Sequence, residues 1–429
     1  MCQLTHSRPR SFTTLLRAFS FRLGFNLHHA AAGCRARLPL GAAAAAASSG
    51  SDGHSIICHR RDPLHHVSHG HDVVPSDSGL TADITHVILA FMRSDIFNVD
   101  ETPTHFPLFT TVERVRQQFQ PDTHVMVAIG GWGDSQGFED AARDAASRKR
   151  WARQVKAMMD QTGADGVDID WEYPGGNRDD YKLIPNSKRE WEIEAFVQLL
   201  EALRSAVGPA KILSVAVPGM QRDLMAFTSS TVPRIVDHVD FINVMTYDLM
   251  NRRDTAVKHH SGVAESRDAI RRYVERGASP SMLNLGLGYY VKWFMTQECD
   301  PERPLGCPTQ LLEDPTTGAD LGRTAAFSWH DETPAELAES FARARAEGTY
   351  DDDGSYGYWD GREKRWWSFD TPRVVGRKLA EVVGPWGLGG VFAWGLGEDA
   401  PEFAHLTATA EGVRALRRRA GGNSTRDEL

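Results

Sequence analysis

The residues best suited to chemistry form a row of carboxylates in residues 165–172, where four acidic side chains stand within eight positions. Asp168, Asp170 and Glu172 alternate with large apolar side chains, which predicts a β-strand with these acids on one face. Three neighbouring carboxylates repel one another, so we expect some of them to share protons and to have raised pKa values. A protonated carboxylic acid beside an ionised one is the equipment that cleaves glycosidic bonds.

A solvated acidic strand or a calcium loop is the alternative interpretation of this segment. Calcium loops arrange oxygen ligands around flexible, glycine-containing turns, whereas the bulky residues Ile169 and Trp171 interrupt this run. The fourth acid, Asp165, falls on the opposite strand parity, so we predict a structural role for it. The spacing therefore favours a catalytic carboxylate row over an ion-binding loop.

A resemblance to a known family rests on this segment and the two residues after it. The run matches the Asp-x-x-Asp-x-Asp-x-Glu signature of family 18 glycoside hydrolases, the chitinase family, at Asp165, Asp168, Asp170 and Glu172. Tyr173 and Pro174 also match the family pattern. From about residue 84 to residue 413, the chain resembles the fungal chitinases of this family.

The resemblance implies a reaction in which the sugar supplies its own nucleophile. The N-acetyl carbonyl oxygen attacks the anomeric carbon to form an oxazolinium ion, so the protein must supply an acid and hold the acetamido group. By resemblance, Glu172 is the acid and later the base, Asp170 orients the acetamido group, and Asp168 shares a proton with Asp170. The spacing of two independently places all three on one face, as such a relay requires.

Two further segments resemble motifs of the family. Met245-Thr-Tyr-Asp248 ends a predicted strand and matches the Met-x-Tyr-Asp motif. The resemblance implies that Tyr247 donates its phenol O–H to the acetamido oxygen, while Met245 and Asp248 line the same pocket; a buried core tyrosine is the alternative. Trp394, in the last predicted strand, matches the tryptophan that forms the floor of the sugar site.

The segment Ala128-Ile-Gly-Gly-Trp132 departs from the family pattern at one position. Ala128 stands where the family usually has serine, and we expect this change to shift the pKa of the carboxylate relay modestly without abolishing catalysis. We expect Trp132 and Tyr173 to contact the sugar. Tyr289 and Trp293 are weaker candidates.

These residues require a scaffold, and the apolar pattern predicts one. Seven apolar runs have the character of strands: 84–91, 124–130, 165–172, 211–217, 240–247, 283–289 and 390–394. Helical periodicity fills much of the sequence between and after them, at 136–160, 188–207, 264–276 and 402–418. Buried strands alternating with helices predict an α/β fold, a (β/α)8 TIM barrel. The eighth strand must precede residue 84, where 55–59 is the one candidate and a poor one.

The gap between barrel strands seven and eight, residues 290–388, predicts a small α+β insertion within the barrel. Its aromatic residues alternate with small and polar ones at 355–360 and 366–372, as in an antiparallel hairpin. The resemblance implies that such an insertion deepens the cleft. Cys299 and Cys307 flank a proline-rich loop and are predicted to form a disulfide in an oxidising compartment, two free thiols being the alternative.

Composition argues against several classes of protein. The formal net charge of −9 argues against a nucleic-acid binder, whose footprint would be basic. No apolar run approaches the ~18 to 20 residues that span a membrane. Six histidines between positions 54 and 71 could bind a metal, but their irregular spacing favours a loop. We therefore predict no metal and no cofactor, with a monomeric protein that binds chitin or chitooligosaccharides.

The two ends of the chain give conflicting signals about localisation. Residues 1–53 are arginine-rich, with no acidic residue before position 52, and predict a targeting leader or a spurious low-complexity segment. The catalytic barrel is expected at 54–413 and a C-terminal tail at 414–429. Asn423 begins an N-glycosylation acceptor, and 426–429 resembles an endoplasmic-reticulum retention signal, with chance as the alternative. We expect the secretory pathway, with the protein either secreted or retained in that lumen.

Together these features predict a chitinase that hydrolyses β-1,4 linkages between N-acetylglucosamine units with retention and substrate assistance. One alternative is an endo-β-N-acetylglucosaminidase acting on N-glycan cores, which would use the same relay. A non-catalytic chitooligosaccharide-binding protein is the other, although Glu172 is present. The aromatic insertion favours an extended polysaccharide cleft.

Overall fold

The computed structural model describes residues 22–23, 55–60, 74–75, 78–329 and 331–424. Its strands in chain order are β1 Arg22–Leu23, β2 Ser55–Arg60, β3 Ile84–Met92, β4 His124–Gly130, β5 Gly166–Asp170, β6 Ile212–Pro218, β7 Phe241–Met245, β8 Leu283–Gly288, β9 Tyr290–Met295, β10 Thr324–Ser328, β11 Thr349–Tyr350, β12 Tyr356–Asp360, β13 Arg365–Ser368 and β14 Gly390–Trp394.

Eight of these strands form a closed parallel barrel. Each of β2 to β7 pairs in parallel with the next strand, and β14 completes the ring by pairing in parallel with both β8 and β2. The two residues of β1 lie antiparallel to β14 and β3. The poor first-strand candidate at 55–59 is therefore a barrel strand, and the predicted TIM barrel is confirmed.

The helices are α1 Ser78–Thr81, α2 Val112–Arg116, α3 Gln136–Ala142, α4 Ala145–Thr162, α5 Trp191–Val207, α6 Val232–Val236, α7 Val263–Glu275, α8 Ala335–Glu347, α9 Pro372–Lys378, α10 Gly384–Trp386 and α11 Ala404–Ser424. A π-helical turn, Leu379–Val383, joins α9 to α10. Short 3₁₀ turns lie at Ser94–Phe97, Asn186–Lys188, Gln221–Asp223, Pro280–Met282, Leu396–Glu398 and Pro401–Phe403. Within the described residues, no helix combines the length and apolar character needed to cross a membrane.

Two predicted helices differ from their expected bounds. The helix expected at 136–160 is broken after Ala142, because the Asp144 side chain accepts hydrogen bonds from the amides of Ala146 and Ser147 and starts a new helix. The last helix continues to Ser424 instead of ending near 418. Residues 425–429 and nearly all of the leader lie outside the described residues.

Alternate residues of the barrel strands build two separate cores. Val87 and Leu89 of β3 pack outward, in the large core between strands and helices. Ile88 and Ala90 of the same strand point into the barrel. The remaining buried members of this inner cluster are Met126, Ala128, Ala216, Phe241, Met245, Tyr247, Tyr290 and Phe392. The barrel is thus filled by side chains, and a polar side chain in this interior must find its partners there.

The predicted insertion is present between β8 and β14. It is a five-stranded antiparallel sheet in the order β10-β9-β13-β12-β11, with α8 packed beside β12. The predicted hairpin is the β12–β13 pair, in which Trp359 opposes Trp366. The predicted disulfide between Cys299 and Cys307 is also formed.

Candidate active site

The carboxylate row lies on β5 and just beyond its end. Asp168 and Asp170 are fully buried, while Glu172, two residues past the strand, is partly exposed. The residues between them, Val167 and Ile169, belong to the outer core. Because successive strand side chains point to opposite faces, the two aspartates point into the barrel, and the row runs toward the carboxyl ends of the strands. In barrels of this kind, that end carries the reactive groups.

Asp168 is held by residues from the next two strands. Its Oδ1 accepts hydrogen bonds from Ser214 Oγ of β6, at 2.6 Å, and from Asn243 Nδ2 of β7, at 3.1 Å. Asn284 Nδ2 of β8 donates in turn to Asn243 Oδ1, at 3.0 Å. Sequence reasoning missed these three residues, although each is a lone polar residue at an inward position of an apolar strand. On the other side, Ala128 of β4 pairs with Asp168 and offers no side-chain donor.

Asp165 faces away from this row. Its Oδ2 accepts hydrogen bonds from Arg116 at 2.9 Å and from the amide of Val125 at 2.8 Å. These contacts tie the segment before β5 to α2 and β4, so Asp165 has the structural role that its parity predicts.

An aromatic cluster closes the barrel interior next to the acidic row. The Tyr247 ring, which is 7% exposed, lies 5.9 Å from the Phe392 ring and 6.4 Å from the Trp394 ring. Trp394 also contacts Phe91, at 5.6 Å between ring centroids. Met245 is buried in the same cluster. The structure therefore brings the predicted residues of β7 and β14 together at one end of the barrel.

Asp248 lies beside this cluster at the end of β7. Its Oδ1 accepts hydrogen bonds from Tyr290 at 2.7 Å and from Lys292 at 2.8 Å, and His260 Nδ1 lies 3.8 Å away. Desolvation opposes ionisation of this carboxyl, but the charge of Lys292 and the hydrogen bonds from Lys292 and Tyr290 outweigh it and hold the pKa of Asp248 below its usual value. The residue has a φ of 53°, which turns the chain sharply after Tyr247.

Tyr290 and Lys292 replace the two weaker candidates, Tyr289 and Trp293, which have the opposite parity. Tyr289 was the wrong choice: it is fully buried and its hydroxyl bonds Thr409 Oγ1 at 2.6 Å. Trp293 is 9% exposed and stacks under the guanidinium of Arg365. Tyr290 and Lys292 share the even parity of Asn284 in β8, so the alternation of that strand, continued past Gly288, selects them.

Trp132 and Tyr173 lie beyond the carboxyl ends of β4 and β5. Trp132 is 47% exposed, and its ring meets that of Tyr173 edge to face at 6.3 Å. Burial raises the pKa of Tyr173 well above its ordinary value, and the neighbouring carboxylates of Glu172, Asp223 and Asp170 raise it further. Tyr173 therefore stays a neutral hydrogen-bonding group at any physiological pH.

A pocket of about 250 Å³ opens beside Glu172. It is lined by Trp132, Gly133, Ser135, Gln136, Glu139, Glu172, Arg178, Asp179, Asp180, Ile184 and Arg189. Most of these residues belong to the loop after β5, and ion pairs fix that loop in place. Arg178 is bonded to Glu139 and Glu192, and Arg189 forms two bonds of 2.7 Å with Asp180. The pocket thus has rigid walls with an apolar edge at Trp132.

The arrangement brings buried carboxylates, a partly exposed carboxyl, a phenol and aromatic rings together at one end of the barrel. Such a set can donate and accept protons beside a ring-shaped, partly apolar substrate. Among the described residues, no group of three or more His, Cys, Asp and Glu side chains is arranged to hold a metal ion.

Comparison with known proteins adds a family and a fold. Residues 63–399 match the family model for glycosyl hydrolases family 18. The chain is 27% identical over 290 residues to Chitinase 1 of Aphanocladium album. This match covers 63% of the present chain and 60% of that relative. The chain therefore spans less than two thirds of the length of this curated relative.

Two solved structures share the fold. The chitinase of Rhizomucor miehei has a TM-score of 0.62 and 19% identity, covering 79% of this chain and 97% of its own. A class V chitinase mutant from Cycas revoluta, solved in complex with (GlcNAc)3, has a TM-score of 0.58 and 20% identity over 78% of this chain and 93% of its own.

Proposed function

This chain belongs to family 18 of the glycosyl hydrolases, and we propose that it hydrolyses the β-1,4 linkages between N-acetylglucosamine units of chitin. The observation that carries the proposal is the carboxylate row of β5, which ends in Glu172 on the wall of the pocket, at the same end of the barrel as Tyr247 and Trp394. The names of the relatives and the oligosaccharide held by the Cycas enzyme support this substrate class.

The proposed reaction proceeds with retention through two displacements at the anomeric carbon. In the first, the N-acetyl carbonyl oxygen attacks that carbon, the glycosidic C–O bond breaks, and Glu172 gives its proton to the leaving oxygen. In the second, a water molecule loses a proton to Glu172 and attacks the same carbon, which breaks the oxazolinium C–O bond. The second displacement restores both the acetamido group and the protonated acid.

The other residues of the cleft hold the reacting groups. Asp170 orients the acetamido N–H and stabilises the positive charge of the oxazolinium, and Asp168 exchanges a proton with it. Tyr247 donates its phenol O–H to the acetamido oxygen, which places the nucleophile. Trp394 lies beneath the sugar ring, with Met245 and Asp248 at its side. Trp132 and Tyr173 contact the sugar on the leaving-group side, beside the pocket that Glu172 lines.

The test is cleavage of chitohexaose by the full chain, with products resolved by anomer. β-Anomeric products are expected, because two displacements restore the original configuration. Glu172→Gln should lose nearly all hydrolysis and keep binding. Asp179→Asn is the matched control, since it removes a charge from the exposed wall of the same pocket without touching the carboxylate row. Equal loss in both variants, or full activity in Glu172→Gln, would refute the mechanism.

The same experiment separates the alternatives. Cleavage of an N-glycan core without cleavage of chitohexaose would indicate the endo-β-N-acetylglucosaminidase, and binding without turnover would indicate a sugar-binding protein. The disulfide Cys299–Cys307 fits an oxidising compartment, so we also propose that the protein enters the secretory pathway.

A further inference from the structure

A chain of four buried polar residues crosses the barrel interior beneath the cleft. Asp168, Ser214, Asn243 and Asn284 come from the four consecutive strands β5 to β8, and all are 0% exposed. Asp168 and Ser214 are paired neighbours across β5 and β6, and Asn243 and Asn284 are paired neighbours across β7 and β8. Buried polar groups are expensive unless they are hydrogen bonded, so this set needs a reason to be there.

The hydrogen bonds along the chain have a direction. Asn243 uses its Oδ1 to accept from Asn284, which leaves its Nδ2 facing Asp168 Oδ1. An amide nitrogen can only donate, so Asp168 Oδ1 must accept. Ser214 Oγ bonds the same oxygen at 2.6 Å. Two groups thus converge on one oxygen of a carboxyl group that has no contact with bulk water.

The surroundings of Asp168 contain few other groups that could set its proton affinity. The paired neighbours Ala128 and Ser214, on β4 and β6, carry no titratable group. On β5, Asp170 and Glu172 follow toward the cleft, and Tyr247 approaches from the end of β7 with Asp248 and its partner Lys292 beyond. At the opposite end of the barrel stands His86, whose pKa burial lowers to about 3, so it is neutral there.

We propose that Ser214 and Asn243, the latter oriented by Asn284, are positioning residues that keep Asp168 Oδ1 an acceptor, so that a proton shared with Asp170 is carried on Oδ2. The inference rests on the proposed function and deepens it, because it explains how the relay keeps its proton on the side that exchanges with Asp170. Donors on Oδ1 also stabilise the ionised form of Asp168 and oppose the repulsion from Asp170 and Glu172.

The expected effect is a shift in the proton affinity of the Asp168–Asp170 pair. Loss of one hydrogen bond to a carboxylate should raise the apparent pKa of the pair by about one to two units. Ser214→Ala removes a bond directly. Asn284→Ala never touches Asp168 but frees the Asn243 amide, so it should cause a smaller shift in the same direction.

Two measurements test this. The first is the pH dependence of kcat on chitohexaose for the full chain, its Ser214→Ala and Asn284→Ala variants, and Ser214→Cys, which keeps the size and a weak donor. The second needs no substrate: infrared titration of the carboxyl bands that disappear in Asp168→Asn. Ser340→Ala is the matched control, because Ser340 is equally buried and also bonds a carboxylate at 2.6 Å, that of Asp360 in the insertion.

The proposal predicts that the acidic limb of the kcat profile and the infrared titration both move to higher pH in Ser214→Ala. The shift should be smaller in Asn284→Ala and Ser214→Cys, and Ser340→Ala should show none. Unchanged titration in both Ser214→Ala and Asn284→Ala, or a shift to lower pH, would overturn it, since a shift to lower pH means that Asp168 Oδ1 carries the proton and donates it to Ser214 or Asn243. If the wild-type chain hydrolyses no chitohexaose, the proposed function fails, and the infrared titration still decides the role of Ser214 and Asn243.

Discussion

Arg178 fixes the loop that carries Glu172 and Tyr173, and its loss should destabilise the protein strongly. Its side chain is 4% exposed; it bonds Glu192 at 2.5 Å, and Glu192 is itself 1% exposed. The same guanidinium bonds Glu139 and the carbonyl oxygen of Tyr173. Arg178→Met keeps much of the volume and removes the charge, so Glu192 is left as a buried, uncompensated carboxylate.

The size of the expected loss of stability follows from the burial of Arg178 and Glu192. Breaking a buried ion pair by removing one partner costs about 3–5 kcal/mol. At roughly 2.1 cal/mol/K per residue over about 350 structured residues, that loss lowers Tm by about 4–7 °C. Burial already raises the pKa of Glu192, against the opposing effects of Arg178 and the Gly175 amide. A raised folded pKa disfavours the native state as the pH rises through it, so the loss should be largest at neutral pH and smaller on acidification toward 4.5.

The assay is thermal unfolding at pH 7 and pH 5 of the wild type, of Arg178→Met and of the double variant Arg178→Met, Glu192→Gln. The double variant should recover part of the Tm that Arg178→Met loses. Arg234→Met is the control, because Arg234 and Glu194 make an equally close pair at 2.6 Å with side chains 46% and 52% exposed. Solvent screens that exposed pair, so its loss should leave Tm nearly unchanged. Equal shifts in the two single variants, or no pH dependence in Arg178→Met, would refute the reasoning.

Three further predictions concern other parts of the molecule. Replacing Cys299 and Cys307 by serine should destabilise the protein by at most about 2.5 kcal/mol, because a separation of 8 residues closes a short loop, and should leave kcat unchanged; denaturation and turnover measure this. Burial lowers the pKa of His405, but Asp399 outweighs burial and raises that pKa above its usual value of 6.5. The stability that this pair contributes should therefore be complete below pH 6.5 and decline as the pH rises through the pKa of the folded state. Measurements of Tm against pH should show this decline for the wild type but not for His405→Asn. Trp394→Ala should lower kcat/KM about tenfold, since an apolar contact between the indole and the sugar that contributes about 1.5 kcal/mol is lost; unchanged kinetics would remove it from the sugar site.

The acidic row could be predicted from the sequence because its signal is local. Alternation of Asp168 and Asp170 with Val167 and Ile169 fixes which side chains face the barrel, whatever the rest of the fold does. Apolar strands and the long aromatic gap likewise predicted the barrel and its insertion, since both depend on patterns within short segments.

The missed residues depend on contacts between distant segments. Ser214, Asn243 and Asn284 are single polar residues, and their meaning appears only when four strands are placed side by side. Tyr290 and Lys292 could have been found, because they keep the even parity of the inward-facing Asn284 across the break after Gly288.

Closure of the barrel joins the two ends of the described fold, and this orders the events of biosynthesis. Ser55 of β2 pairs with Gly390 of β14, so the partner strand leaves the ribosome about 335 residues later, which at 5–20 residues per second means about 17 to 67 s. During that interval β2 has one unpaired edge, as does β8 once it has been made, and such edges are prone to association with other chains. The first barrel strand to be made is therefore among the last to acquire both of its neighbours, and the nascent protein depends on its surroundings to protect that edge until β14 has been made.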